Sequence, residues 1–209
     1  MLKNYFKIAW RNMVKNKGYS AINIGGLAVG MAVAMLIAFW MYDELSFDKS
    51  IKNYDRIAQV MQRQTFNGNI YTGTAIPAPL GGEMKSRYGN DFKYLVMASW
   101  QGEKILAAGD KKLVVEGNYM GSDVTRMLSL RMKSGSHDAL KDPYTIILST
   151  ETAKALFGDE DPMNTTLKLG GTTDVKVTGV YEDFSNSSAF RKLKFIAPWD
   201  LLVATEKWV

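Results

Sequence analysis

The feature that most constrains this chain is an uncharged stretch of 25 residues from Gly18 to Tyr42. As an α-helix it would be about 37 Å long at about 1.5 Å per residue, and the hydrocarbon core of a bilayer is about 30 Å thick. Its large residues are apolar all round such a helix, with aromatic residues such as Tyr19 and Trp40 near the two ends. The sequence therefore predicts a transmembrane helix, which we place at residues 19–42.

A cleaved signal peptide is the main alternative, because Ala32-Val33-Ala34 matches a small-residue cleavage site. That match lies in the middle of the apolar stretch, and uncharged residues continue from Met35 to Tyr42. The stretch also exceeds the length of a typical signal-peptide core. A buried helix of a soluble core is a third alternative and is favoured least.

The charge is distributed unevenly along the chain. Of 26 basic residues, five lie within the first 17 positions, which hold no acid, and the rest of the chain carries 21 basic and 21 acidic residues. A net charge of +5 that is confined to one end, just before an apolar stretch, is more typical of a membrane flank than of a nucleic-acid-binding surface. Five cations precede the apolar stretch, and the first cation after it is Lys49. The positive-inside rule, which counts only the cations, therefore places the N-terminus in the cytoplasm.

Residues 2–17 are predicted to form an amphipathic helix, because apolar and basic residues recur at helical spacing on different faces. A basic helix with aromatic anchors beside an apolar stretch is typical of a membrane interface, so we expect residues 1–18 to contact lipid on the cytoplasmic side. A surface helix packed on a soluble core is the alternative. The predicted interfacial anchor consists of Phe6, Trp10, Lys3, Lys7, Arg11 and Lys15.

Small residues recur every four positions within the apolar stretch, at Gly26, Gly30, Ala34 and Ala38. Small side chains on one face let a second helix approach closely in a bilayer. Chance is the alternative, since Gly and Ala are common in membrane helices. We interpret these four residues as a packing face for membrane helices that residues 1–209 do not contain.

Residues 43–209 are predicted to form an extracytoplasmic domain of the α+β class, because strand-like and helix-like patterns are mixed along it. Ser149 is expected to cap a helix that ends at Gly158, and Gly179 to mark a bulge or a close backbone approach. Glycines at 102, 109 and 117 are expected to break strands. The predicted strands are Tyr94–Trp100, Lys104–Ala108, Leu113–Glu116, Tyr144–Leu148, Thr166–Leu169, Asp174–Tyr181 and Lys194–Ala197, with further helices at Pro79–Tyr88 and after Pro198.

Motifs for catalysis or cofactor binding are absent from the sequence. There is no P-loop, no G-x-G-x-x-G, no G-x-S-x-G and no cysteine, and a single histidine excludes a site built from several histidines. Ser136-His137-Asp138 has the residue types of a catalytic triad, but neighbouring side chains point apart, so we expect a loop. The acidic residues Asp159–Asp161 are expected to form a polar turn. We therefore predict no catalytic residue, cofactor or metal.

Three stretches resemble a known family. The opening LKNYFKIAWRNMVKNKGYSAINIGGLAVGMAVAMLIAFWMYDELSFDK and the later YDRIAQV are similar to the N-terminal part of MacB/FtsX-like ABC transporter permeases of the Bacteroidetes type. Ile147–Phe184 resembles the extracytoplasmic core-domain signature of that family, in which an LFG…DP…G run precedes a V-x-G-V-x-x-D strand. Asn164 stands where that signature usually has Gly.

The resemblance implies a permease subunit that is itself not an enzyme. Such permeases form homodimers or heterodimers, pair with a cytoplasmic ATPase, and relay ATP hydrolysis through membrane helices to a periplasmic domain, for export or mechanotransmission. It further implies an inner-membrane protein with residues 43–209 in the periplasm.

The chain lacks the further membrane helices of such a permease, because no second apolar stretch follows Ser46. We therefore interpret residues 1–209 as the N-terminal part of a longer permease, with an incomplete outer domain. The alternative is a single-pass sensor or adaptor whose outer domain binds a ligand or a protein. A membrane-tethered enzyme is a third and weaker hypothesis.

Overall fold

The computed structural model describes residues 2–206. Met1 and residues 207–209, which the predicted segments include, lie outside the described residues. The chain divides into two compact units, Met1–Phe47 and Asp48–Val209, which are treated separately below as the N-terminal unit and the C-terminal unit.

The N-terminal unit consists of two helices, α1 (Leu2–Lys15) and α2 (Lys17–Ser46). Asn16 separates them, because its backbone leaves the helical region at φ −111° and ψ 57°. With 30 residues, α2 is about 45 Å long. It is long and apolar enough to cross a membrane, and its most apolar window has no residue buried. Both predicted segments are helical, and α2 extends past the predicted 19–42 span at each end.

The C-terminal unit mixes short helices with strands, which confirms the predicted α+β class. A single turn of 3-10 helix, Tyr54–Arg56, comes first. The elements that follow are β1 (Gln62–Phe66), β2 (Asn69–Gly73), α3 (Pro79–Tyr88), β3 (Gly102–Ala108), β4 (Lys111–Met120), α4 (Val124–Met127), β5 (Met132–Gly135), β6 (Thr145–Ser149), α5 (Thr150–Phe157), β7 (Thr166–Leu169), β8 (Thr173–Tyr181), β9 (Phe195–Pro198) and α6 (Trp199–Thr205).

Six strands of this unit close into a ring. They pair in the order β8-β6-β9-β4-β3-β7, and β7 pairs again with the first half of β8. The β4–β9 and β6–β8 pairs are parallel, and the other four pairs are antiparallel. The strand β5 pairs with the second half of β8, and β1 and β2 form a separate hairpin. Full closure removes the free strand edges that an open sheet would expose.

Side chains of the central strands alternate between two apolar cores. On β6, Ile146 and Leu148 point into a core that also holds residues of α5 and α6, whereas Ile147 points into a second core with residues of α4. On β9, Phe195 and Ile196 divide in the same way. Because both faces are buried, these strands are apolar throughout instead of alternating.

A bulge in β8 confirms the prediction for Gly179. The register with β6 shifts so that Ile146 pairs with Val177 but Ile147 pairs with Gly179. A Cβ atom at Gly179 would lie 2.7 Å from the Met132 Cε atom and 3.0 Å from the Ile147 Cγ2 atom, so the site is also a close approach. The extra residue explains why Val177 and Val180 enter the same core although they are three positions apart.

One predicted strand and two predicted strand breaks are wrong. Tyr94–Trp100 is not a strand, although it runs beside the end of β4, where Ala98 bridges Met120 and the Ser99 N–H donates to the Tyr119 carbonyl oxygen at 2.9 Å. Gly102 and Gly117, which were expected to break strands, belong to β3 and β4. The other predicted strands agree with the structure to within a few residues at each end.

Candidate functional site

The predicted packing face lies on the outside of α2. Gly26, Gly30, Ala34 and Ala38 are all exposed. A Cβ atom added at Gly26 or Gly30 would meet no atom within 4 Å, so the backbone here is open to the surroundings. Gly26 and Gly30 are therefore not covered by other side chains of the N-terminal unit.

The predicted interfacial anchor is carried by α1. Phe6 is 77% exposed and Trp10 is 61% exposed, so neither ring packs into the N-terminal unit. The four basic residues of the anchor are also exposed, and α1 contains no acidic residue. The helix thus presents large apolar and cationic side chains to its surroundings. Those basic residues are Lys3, Lys7, Arg11 and Lys15.

An ionic cluster holds the beginning of α5 in the C-terminal unit. The Lys194 ammonium contacts Asp183 at 2.9 Å and also pairs with Glu151. The second carboxylate oxygen of Asp183 accepts the Glu151 N–H at 3.0 Å. The predicted cap is confirmed, since the Ser149 hydroxyl accepts the Thr152 N–H at 3.3 Å. Two unpaired N–H groups at the start of the helix are therefore satisfied.

Burial and hydrogen bonding act in opposite directions on this cluster. Burial would raise the pKa of the Asp183 carboxyl, but the hydrogen bonds it accepts outweigh burial and lower that pKa. Burial would lower the pKa of the Lys194 ammonium, and its hydrogen bonds to the two carboxylates outweigh that effect and raise it. Both groups stay charged at neutral pH, so the cluster ties α5 to the segment after β8 and to the residue before β9.

A second polar tie fixes the first residue of the C-terminal unit. The Asp48 carboxylate accepts the Ser188 hydroxyl at 2.7 Å and the Ala189 N–H at 3.0 Å, and its own N–H donates to the Ser187 carbonyl oxygen at 2.8 Å. Asp48 has φ +57°, which is unusual outside Gly and costs about 1 kcal/mol. Ile51 is only 3% exposed and enters the second core. The chain thus joins the C-terminal unit at a firmly held point.

A shallow cleft of about 220 Å³ lies beside this tie. Ile51, Leu128 and Leu130 form its apolar floor, and Arg131 and Glu182, 3.6 Å apart, stand at its rim. Ligand pockets usually measure about 300–1,000 Å³, so we assign no ligand to the cleft.

Among the described residues, the other polar residues considered as candidate sites are in ion pairs or lie in turns. The Asp138 carboxylate is paired with Arg126 at 2.7 Å and with Lys141 at 3.0 Å, and His137 lies beside it in a turn. Asp159–Asp161 follow the end of α5 in a turn region. Residues 2–206 hold no group of three or more side chains suited to a metal ion.

No role was predicted from the sequence for Asp48, Asp183 or Lys194. Asp183 is the Asp of the V-x-G-V-x-x-D signature. The motif therefore identified this residue but gave no information about its ion-pair partner. Its partner Lys194 lies 11 positions later, and Glu151 lies 32 positions earlier. Pairs so far apart in sequence become evident only when the ring of strands is in place.

The chain belongs to the MacB-like periplasmic core domain family, whose model matches residues 20–208. This match confirms the family predicted from the sequence. It begins within α2 and continues through the C-terminal unit.

Two solved structures are similar to the chain. One is the periplasmic region of MacB from Actinobacillus actinomycetemcomitans, at 18% identity and a TM-score of 0.48, over 60% of this chain and 56% of that one. The other is the extracellular domain of the ABC-type transporter YknZ from Gram-positive bacteria, at 21% identity and a TM-score of 0.49, over 62% of this chain and 66% of that one. The chain thus spans less than two thirds of either solved domain. No curated protein matches it.

Proposed function

We propose that this chain is part of an ABC transporter permease subunit that couples ATP hydrolysis by a separate ATPase to movement of the C-terminal unit. The observation that carries the proposal is the family match, which joins an apolar helix and the ring of strands in one continuous stretch, residues 20–208. The process coupled to ATP hydrolysis is export or mechanotransmission, and this chain does not itself catalyse the hydrolysis.

The distribution of charge supports an orientation in the inner membrane. Cations precede α2, and acids follow its apolar stretch. By the positive-inside rule the N-terminus is cytoplasmic, so residues 1–18 lie at the inner membrane surface, residues 19–42 cross the bilayer and residues 43–209 are periplasmic.

The open face of α2 supports assembly with other membrane helices. Because lipid tails are as apolar as the helix, association depends on close packing, which small residues allow. We propose that Gly26, Gly30, Ala34 and Ala38 contact helices of the same permease or of a second copy in a dimer.

The proposal is tested by purifying the tagged protein from its native membrane in mild detergent and assaying ATP hydrolysis. We expect an ABC ATPase to co-purify and to hydrolyse ATP. The double substitution Gly26→Leu with Gly30→Leu should lower hydrolysis severalfold, because the larger side chains keep partner helices apart.

The matched control is Gly25→Leu with Ala28→Leu, which adds nearly the same bulk, one methyl group less, on the opposite side of α2. It should leave both co-purification and hydrolysis close to the unmodified values. Absence of any co-purifying ATPase would contradict the proposed function. Equal behaviour of the two double variants would contradict the packing face alone.

A further inference from the structure

One face of α1 carries four cations and no acid. Lys3, Lys7, Arg11 and Lys15 are exposed and separated by four residues each; they are called the basic stripe below. Side chains four apart on a helix are neighbours at about 5–6 Å, and like charges at that spacing repel one another. The basic stripe therefore destabilises α1 unless negative charge lies opposite it.

The other face of α1 is apolar. At about 100° per residue, the centre of this face lies about 150° from the centre of the basic stripe. Its large side chains are exposed, so the helix has two contrasting surfaces and neither is covered within the N-terminal unit. The residues of the apolar face are Tyr5, Phe6, Ala9, Trp10 and Met13.

We propose that the basic stripe binds anionic phospholipid headgroups, and that α1 lies flat in the membrane surface only where such lipids are present. The inference rests on the proposed placement of α2 across the bilayer. Because Asn16 alone separates the two helices, α1 stays near the surface in any lipid. The charge of the lipid then determines the orientation of α1, whereas α2 anchors the protein in either case.

The dimensions of the stripe favour a lipid surface over an acidic protein. Its four cations extend along about 18 Å of helix, and a layer of anionic headgroups offers negative charge along that whole length. Lys and Arg side chains are long enough to reach headgroups while the opposite face enters the boundary between headgroups and acyl chains. Each cation near an anionic surface contributes roughly fivefold to the flat state, and salt screens the effect.

The experiment uses the lack of cysteine in the chain. Met13→Cys, on the apolar face, is labelled with a polarity-sensitive fluorophore, and the full-length protein is reconstituted into phosphatidylcholine vesicles with or without phosphatidylglycerol. We expect the emission to shift to the blue as the phosphatidylglycerol fraction rises, and high salt to reverse the shift. Lys7→Gln alone should lower the ratio of α1 lying flat in the membrane surface to α1 lifted away from it roughly fivefold.

The stripe variant replaces Lys3, Lys7, Arg11 and Lys15 with Gln and should lose the response to phosphatidylglycerol. Its matched control removes the same number of charges from exposed lysines of the C-terminal unit and should respond like the unmodified protein. The control positions are Lys85, Lys111, Lys112 and Lys154.

Three results would overturn the inference: a blue-shifted emission in phosphatidylcholine alone, a full response in the stripe variant, or a shift that needs a cytoplasmic ATPase instead of anionic lipid. Alkaline extraction of the same vesicles separates this failure from failure of the proposed function. If the protein is washed off, α2 does not span the bilayer and the proposed placement itself is wrong.

Discussion

Two glycines lie opposite each other across the β3–β4 ladder, but only one of them is required by its surroundings. Gly102 pairs with Gly117 in the antiparallel register. A Cβ atom at Gly117 would overlap the ring of Phe195, whereas one at Gly102 would meet nothing within 4 Å. The Phe195 ring is fully buried in the first core and has little room to move. Packing against the Phe195 ring therefore fixes the residue type at one position of the pair, and the other position is free.

Gly117→Ala should lower the free energy of unfolding by about 1–3 kcal/mol, because an extra methyl group forces the packed Phe195 ring to shift. Gly102→Ala, its partner in the ladder, is the matched control and should stay within about 0.5 kcal/mol of the unmodified protein. The measurement is the denaturant midpoint of the full-length protein in detergent. Equal midpoints for the two variants would show that Phe195 does not restrict position 117.

At the scale of elements, α5 shows what a local pattern can and cannot predict. Ser149 is a cap that sequence alone identifies, because the capping residue directly precedes the helix. The second acceptor, Asp183, comes from the end of β8 and is positioned by strand pairing and by Lys194. A short helix of eight residues is marginal by itself, so these contacts matter for its stability.

Asp183→Asn should lower the stability of the C-terminal unit at neutral pH by about 1 kcal/mol, because the Glu151 N–H and Lys194 lose a charged acceptor. It should also flatten the pH dependence in acid. The pKa of Asp183 is lowered in the folded state, so its contribution is present above the unfolded value of about 4 and is lost as the pH falls through the folded value.

The measurement is the unfolding midpoint of the unmodified protein and of Asp183→Asn between neutral pH and about pH 2, a range that covers the ordinary carboxyl pKa. The two curves should converge as the pH falls. Curves that stay parallel through this range would show that the Asp183 carboxylate is not a stabilising acceptor. Glu151→Gln is a useful control, because it keeps the backbone N–H that Asp183 accepts, and its variant should keep the acid dependence.

Most helices and strands could be predicted because their signals are local. Pro79 at the first helical position and Gly158 with φ +67° mark helix ends that the sequence identifies.

The hairpin β1–β2 was missed, although Asn67-Gly68, both with positive φ, forms the type of turn that most strongly indicates a hairpin. Tyr94–Trp100 has the composition of a strand but runs beside β4 with only one bridge. Composition shows that a segment can form a strand, and the available neighbours decide whether it does.

For the molecule as a whole, the sequence predicted the division into an apolar helix and an α+β domain, but it did not predict the closed ring. Closure depends on the β3–β7 pair and on the parallel β4–β9 pair, which join residues far apart in the chain. The candidate functional residues likewise include some that the sequence identifies and some that only the structure identifies. The repeated spacing of Gly26 and Gly30 is visible in the sequence, whereas the ties made by Asp48 and Asp183 require the three-dimensional structure.

The central claim is that α2 crosses a membrane with α1 inside the cell and the C-terminal unit outside. Single cysteines introduced into this cysteine-free chain test it most directly. The two sites are Asn4 in α1 and Asp110 in the exposed turn between β3 and β4. Intact spheroplasts are treated with a membrane-impermeant maleimide, before and after permeabilisation.

We expect Asp110→Cys to be labelled in intact spheroplasts and Asn4→Cys to be labelled only after permeabilisation. The Asn4→Cys signal must also come from the same full-length band, since a cleaved signal peptide would remove that site from the mature protein. Labelling of Asn4→Cys from outside, protection of Asp110→Cys until permeabilisation, or loss of the Asn4 site from the mature protein would contradict the account.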